Sequence, residues 1–136
     1  MRLTFVDAGV LIAAARGGSE QASRAMEILD DPEREFASSP FLRLEVLPQA
    51  VFNQREAEVA FYEAFFSAVS TWVTNLEAMT EAALREASAC GVEAMDALHV
   101  AAAASVAAEL VTTERPTRSI HRARSVKILT LHPERG

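Results

Sequence analysis

The chain has one cysteine, Cys90, so no disulfide can form within it, and a reducing cytoplasm is the expected compartment. Cys90 precedes Gly91 without a CxxC partner and reads as a small core or surface residue, not a nucleophile. Glycine and proline are scarce, five of each in 136 residues, which excludes fibrous and low-complexity classes. No GxGxxG follows the first apolar run, which excludes the usual dinucleotide-binding turn. A phosphotransfer enzyme of the common form needs a second aspartate two residues after the first, and Gly9 stands there. No stretch of apolar residues is long enough to span a bilayer, and Asp7 interrupts the only N-terminal candidate for a leader, so neither membrane span nor signal peptide is expected. Positive charge is also short: 13 Lys and Arg against 19 Asp and Glu leave a net charge of −6, which argues against a general electrostatic grip on nucleic acid. Six of the 13 basic residues nevertheless fall between Arg115 and Gly136 beside a single acid, Glu134. Such asymmetry permits local phosphate binding on an otherwise acidic protein.

What remains is an ordinary globular composition, half apolar, expected to form a single domain over residues 1–136 with a core that needs no disulfides. Leu3 to Val6 is a short apolar run stopped by Asp7 and reads as a buried strand. Ala8 to Arg16 reads as a helix closed by Gly17-Gly18, and Ser19 opens a second helix to about Leu29. Glu35 to Ser38 is a short strand, and Ser39-Pro40 is a helix start whose helix Pro48 should bend or end. Arg55 to about Ser70 carries a helical stripe of Val59, Phe61, Phe65, Phe66 and Val69, which is core packing, and Thr71 to Thr74 is β-prone. Glu77 to Cys90 is a helix ended by Gly91, and an alanine-rich helix follows to about Ala108. Glu109 to Thr113 and Val126 to Leu131 read as strands, with a turn or short helix from Pro116 to Arg122. Strands separated by helices predict an α/β sandwich around a mostly parallel sheet.

Four acids share one description. Asp7 and Glu114 follow strands, whereas Glu45 and Asp96 interrupt apolar helical segments. Clustered carboxylates raise one another's pKa unless a cation neutralises them, and hard oxygen donors favour Mg²⁺ or Mn²⁺. His99, three residues after Asp96 and so on much the same helix face, reads first as a packed neutral histidine, with a catalytic base as the alternative. Glu93, one turn before Asp96, is either a solvated acid or a further ligand, and His121 is either solvated or a phosphate contact.

The segments Phe5-Val6-Asp7-Ala8-Gly9-Val10-Leu11-Ile12, Leu44-Glu45-Val46, Met95-Asp96-Ala97-Leu98-His99-Val100 and Leu110-Val111-Thr112-Thr113-Glu114 occur in the order seen in PIN-domain proteins. The chain resembles a VapC-type member over nearly its whole length. The resemblance implies a PIN-like three-layer α/β/α sandwich with a five-stranded sheet, and a Mg²⁺- or Mn²⁺-dependent ribonuclease acting as the toxin of a toxin–antitoxin pair. It implies RNA as substrate, a cognate antitoxin as partner and homodimer formation. Asp7, Glu45 and Asp96 match the family's three firmest acidic positions; Glu114 matches the fourth, where aspartate is commoner. Ala8-Gly9 departs from the usual hydroxyl-plus-Asn continuation. On this reading Asp7 and Asp96 are the principal ligands, and Glu45 and Glu114 bind directly or through water; Thr112 and Thr113 read first as β-prone strand residues, with support of the ligands by hydrogen bonds as the alternative. Arg115, Arg118 and Arg122 are the candidate RNA contacts. The competing reading is a PIN-like fold kept as a binding or assembly module, its catalysis impaired.

Overall fold

A computed structural model describes residues 1–133; the last three residues of the basic stretch lie outside the described residues. The first strand, β1 (Arg2–Val6), leads through α1 (Ala8–Arg16) and α2 (Glu20–Leu29) to β2 (Arg34–Ser38). Next come α3 (Pro40–Phe52), α4 (Glu56–Ala68) and the two-residue edge strand β3 (Thr71–Trp72). The second half runs α5 (Leu76–Cys90), α6 (Ala94–Ser105), β4 (Glu109–Thr112), a 3-10 turn (Ser119–Arg122) and β5 (Ile128–Thr130).

The strands form one sheet in the order β3-β2-β1-β4-β5, and every pair is parallel. Thr4, Phe5 and Val6 are all fully buried, although alternate residues of a strand face opposite ways. Both faces must therefore be covered, as parallel sheets require. Right-handed crossovers supply the cover: β1→β2→β3 steps one way along the sheet and lays α1 to α4 on one face. The jump from β3 back to β4 reverses direction and lays α5 and α6 on the other. Among the helices, α1 packs with α2, α3 and α4, and α5 packs with α6, while α3 also touches α6. This is the α/β/α sandwich expected from the sequence, with five strands, all parallel, among the described residues.

Local differences have local causes. Pro48 does not end its helix: α3 continues to Phe52. Proline removes one backbone hydrogen bond, but Val46 and Ala50 are buried on either side of it, and that anchoring holds the helix across the gap. The alanine-rich helix stops at Ser105, not Ala108, because Ala107 turns the chain with a φ of 55°. Ser39 caps α3 with extended backbone, yet its buried hydroxyl makes no cap bond. Gly91 ends α5 as expected, in the left-handed conformation at φ 70°, its N–H donating to the Ala87 carbonyl. The last two long strands are shorter than read, Glu109–Thr112 and Ile128–Thr130.

Candidate active site at the carboxyl edge of the sheet

Strand order reverses between β1 and β4, and parallel sheets bind ligands outside the carboxyl ends of their strands at such a switch point. The residues there are Asp7, one past β1, and Thr112, Thr113 and Glu114 at the end of β4.

Asp7 is 5% exposed. Its backbone N–H continues the ladder to the Val111 carbonyl at 3.0 Å, and its Oδ1 caps α1 by accepting the Val10 N–H at 3.2 Å. Oδ2 accepts a short hydrogen bond from the Thr112 hydroxyl, whose oxygen in turn accepts the Glu114 N–H at 3.0 Å. Thr112 thus ties the end of β1 to the loop after β4. Glu114 is fixed further through its carbonyl, which accepts from the Thr130 hydroxyl at 2.7 Å and lies 3.0 Å from His121 Nε2. His121 therefore braces this loop.

Asp96 is half-buried in the first turn of α6, and Glu45 projects from the exposed middle of α3. Glu45 is not loose, because its Oε1 lies 2.8 Å from Nε2 of the buried His99. Electrostatics join the set. Burial above all pushes the Asp7 carboxyl up from 3.8 to about 6, against the lowering effect of Thr112 and Val10, and Asp96 adds to the rise. Asp96 is itself raised, by burial first and then by Glu114, Glu93 and Glu45, with His99 opposing. All four sequence candidates thus lie at one edge, and burial makes the two best shielded, Asp7 and Asp96, resist ionisation.

The other candidates separate. Thr112 bonds to Asp7, whereas Thr113 Oγ1 makes no hydrogen bond to any of the four acids. Arg118 ion-pairs loosely with Glu114 at 3.5 Å and Glu93 at 3.7 Å. Arg122 is committed elsewhere: its guanidinium donates to the Cys90 and Gly91 carbonyls at 2.8 and 2.7 Å, closing the end of α5. Arg115 lines an open cleft of about 480 Å³ with Gln21, Thr113, Glu114 and His132. Sequence reasoning missed the pairing of Glu45 with His99. Its only trace there is the three-residue spacing from Asp96.

A family description of the PIN domain matches residues 4–120. The chain belongs to the PIN-domain family. No curated protein matches it by sequence. Solved structures match by fold. A chain of VapBC2 from Rickettsia felis, solved bound to a promoter DNA fragment, is 13% identical with a TM-score of 0.72, covering 94% of this chain and 98% of that one. DNA-bound VapBC from Salmonella typhimurium is 19% identical with a TM-score of 0.71, covering 97% and 100%. A toxin–antitoxin complex from Klebsiella pneumoniae is 19% identical with a TM-score of 0.70, covering 95% and 98%.

PIN-domain proteins are typically nucleases, which turns attention to whether these acids suit a metal ion. Among the described residues no three His, Cys, Asp or Glu side chains stand arranged as a ready cage. The donor chemistry nevertheless fits: the groups are carboxylate oxygens, and Asp7 and Asp96, unlike Glu114 beside Arg118, have no salt-bridge partner among the described residues. Mg²⁺ keeps several of its waters and needs only one or two carboxylates. Asp7 and Asp96, with Glu45 and Glu114 at the rim, meet that requirement.

The Ala8-Gly9 departure from the PIN pattern has a steric counterpart. A Cβ on Gly9 would lie 2.1 Å from Thr113 Oγ1 and 3.3 Å from Thr113 Cβ. The Thr113 side chain thus fills the place a side chain at position 9 would take. Gly9→Ala should cost about 1–3 kcal/mol by overpacking. Thr113→Ala in the same chain should return most of it by vacating that space. Urea denaturation of the two single variants and the double variant checks this; independent, additive costs would mean that the two side chains do not compete for the space.

Proposed function

We propose that this PIN domain is a metal-dependent endoribonuclease that hydrolyses RNA phosphodiester bonds, and that it is the toxin of a toxin–antitoxin pair. The observation that carries the reading is the set of four carboxylates at the switch point, with Asp7 held to about 6 and Asp96 also raised. Such a set is costly for the fold and suits a divalent cation. Bound there, Mg²⁺ or Mn²⁺ would supply an activated water and offset charge developing on the phosphoryl oxygens.

The chain's own residues do the rest. Asp7 and Asp96 would hold the ion, and Glu45 and Glu114 would bind it directly or through its waters. Thr112 keeps the Asp7 carboxylate in one orientation by its hydrogen bond. Arg115, in the cleft that shares Thr113 and Glu114 with the acid set, suits a backbone phosphate flanking the cleaved one. Arg118 can reach such a phosphate only by leaving Glu114 and Glu93. A cognate antitoxin is the proposed partner, supported by fold neighbours that are VapBC and toxin–antitoxin complexes. Homodimer formation is proposed with it; Leu76 and Leu84 leave exposed apolar surface on α5.

The test is cleavage of a varied set of RNAs with Mg²⁺ or Mn²⁺ and with chelator. Native protein should cleave only with the ion, and Asp96→Asn should lose the activity while keeping the fold. No cleavage of any RNA, or undiminished cleavage after both Asp7→Asn and Asp96→Asn, would leave the binding-module reading in its place.

A further inference from the structure

His99 is the one histidine buried at the acid edge, 1% exposed and sealed on one side by Phe5, whose ring centroid lies 5.5 Å away. It extends from α6 to α3 and meets Glu45 at 2.8 Å, the one hydrogen bond Glu45's side chain makes among the described residues. Its other ring nitrogen, Nδ1, is buried with no hydrogen-bond partner among the described residues. These facts fix the tautomer. A carboxylate only accepts, so the contact needs the proton on Nε2. Nδ1 is then a bare acceptor, which is tolerable without a partner. The opposite tautomer would set a lone pair against the carboxylate and bury an unsatisfied N–H, a cost of about 1–3 kcal/mol for the latter alone.

We infer that His99 is a positioning residue: its Nε2–H holds the Glu45 carboxylate at the acid edge, so that a surface glutamate serves as part of the cation site. This rests on the metal reading above. Glu45 belongs to an exposed stretch of α3, and a free glutamate there would spread over several rotamers in water. The imidazole removes that freedom from the buried side. Glu45 then stands near enough to Asp96 to raise it. A histidine that orients a carboxylate by its ring N–H is the mirror of the common carboxylate that orients a ligating histidine. The geometry also makes the chain's two halves meet at the site, because α3 and α6 are in contact there.

Two measurements test this on the full chain. Without metal, long-range ¹H–¹⁵N correlation of the histidine rings should show His99 as the Nε2–H tautomer, with ring shifts that move on Glu45→Ala. An Nδ1–H tautomer, or shifts indifferent to Glu45→Ala, would overturn the inference whatever the metal does. With Mn²⁺, calorimetry should show His99→Ala binding about 10–100-fold more weakly, the usual cost of losing a ligand-orienting partner. Glu45→Ala should lose at least as much, the double variant should lose no more than Glu45→Ala, and His99→Gln, which keeps an N–H at similar reach, should recover most of the affinity. Equal weakening by His99→Ala and His99→Gln in folded protein, or none by His99→Ala, would reduce His99 to packing. If the native protein binds no Mn²⁺ at all, the metal reading and the role given to Glu45 both fall, while the tautomer signal still reports whether His99 holds Glu45.

Discussion

Stripped of divalent ions, Asp7→Asn melts well above the native protein at pH 8 and close to it at pH 4. The reason is the carboxyl's rise from 3.8 to about 6 on folding, caused chiefly by burial. A raised carboxyl means that the folded state holds its proton more tightly than the unfolded chain does. Stability from this group is therefore complete below pH 3.8 and is lost as pH climbs through about 6. The span corresponds to about 3 kcal/mol, or roughly 5–15 °C in a domain of this size. Asparagine escapes that loss. It caps helices as well as aspartate does, its oxygen can still accept the Val10 N–H, and its amide can donate to Thr112, whose hydroxyl turns to accept. What it forgoes is the attraction of a full negative charge for the start of α1, about 0.3–1 kcal/mol, which is smaller than the gain. The same variant should lower metal-dependent RNA cleavage on the order of 10³-fold, as fits several kcal/mol of lost charge stabilisation. Melts in chelator across pH 4–8, paired with cleavage assays, check both halves. An Asp7→Asn protein less stable than native at pH 8 would show that Asp7 is retained for structure.

That trade explains why the site could be read from the sequence in part. Asp7 and Glu114 each end an apolar strand run, and Asp96 interrupts an alanine-rich helix, so each violates a local pattern and is visible without a partner. The parallel sheet was legible for the same reason, since short apolar runs alternate with helical ones. Partners were not legible. His99 and Glu45 lie 54 positions apart, and Arg122 meets the end of α5 from 31 positions away. Arg122 in sequence is one more cation in a basic stretch; only the fold turns it toward carbonyls instead of phosphate. Gly9 reads as a departure until Thr113 is seen to occupy its space. Of the two outcomes read for Pro48, a bend or an end, the end is excluded, because α3 runs on to Phe52 with buried neighbours on both sides.

The opposite edge of the sheet provides the control. There Arg34, at the start of β2, is 4% exposed at its side chain and donates to Thr4 Oγ1 at 2.8 Å, Glu109 Oε1 at 2.9 Å and Asp31 Oδ2 at 3.3 Å. It stitches β1, β2 and β4 together at their amino ends, and nothing in the sequence singles it out. Arg34→Ala should lower stability by about 3–5 kcal/mol, the usual cost of stranding a buried charge. Lys127, itself in solvent, is 3.5 Å from Glu109 and compensates weakly. Arg34→Met with Glu109→Gln should cost much less than Arg34→Ala, because the shielded Glu109 charge is removed with its partner and Asp31 keeps Arg2 at 3.6 Å. Chemical denaturation of the single and double variants measures this, and a cost under about 1 kcal/mol for Arg34→Ala would show that water already screens the cluster. Mn²⁺ affinity of the folded Arg34→Ala protein should be unchanged, since the carboxyl edge keeps all four acids. Both edges of one sheet thus carry shielded charge. At the amino edge each charge has a partner and its removal weakens the fold. At the carboxyl edge Asp7 has none, and its removal strengthens the fold. On the proposed metal reading, that opposite sign separates a charge kept for architecture from one kept for a cation.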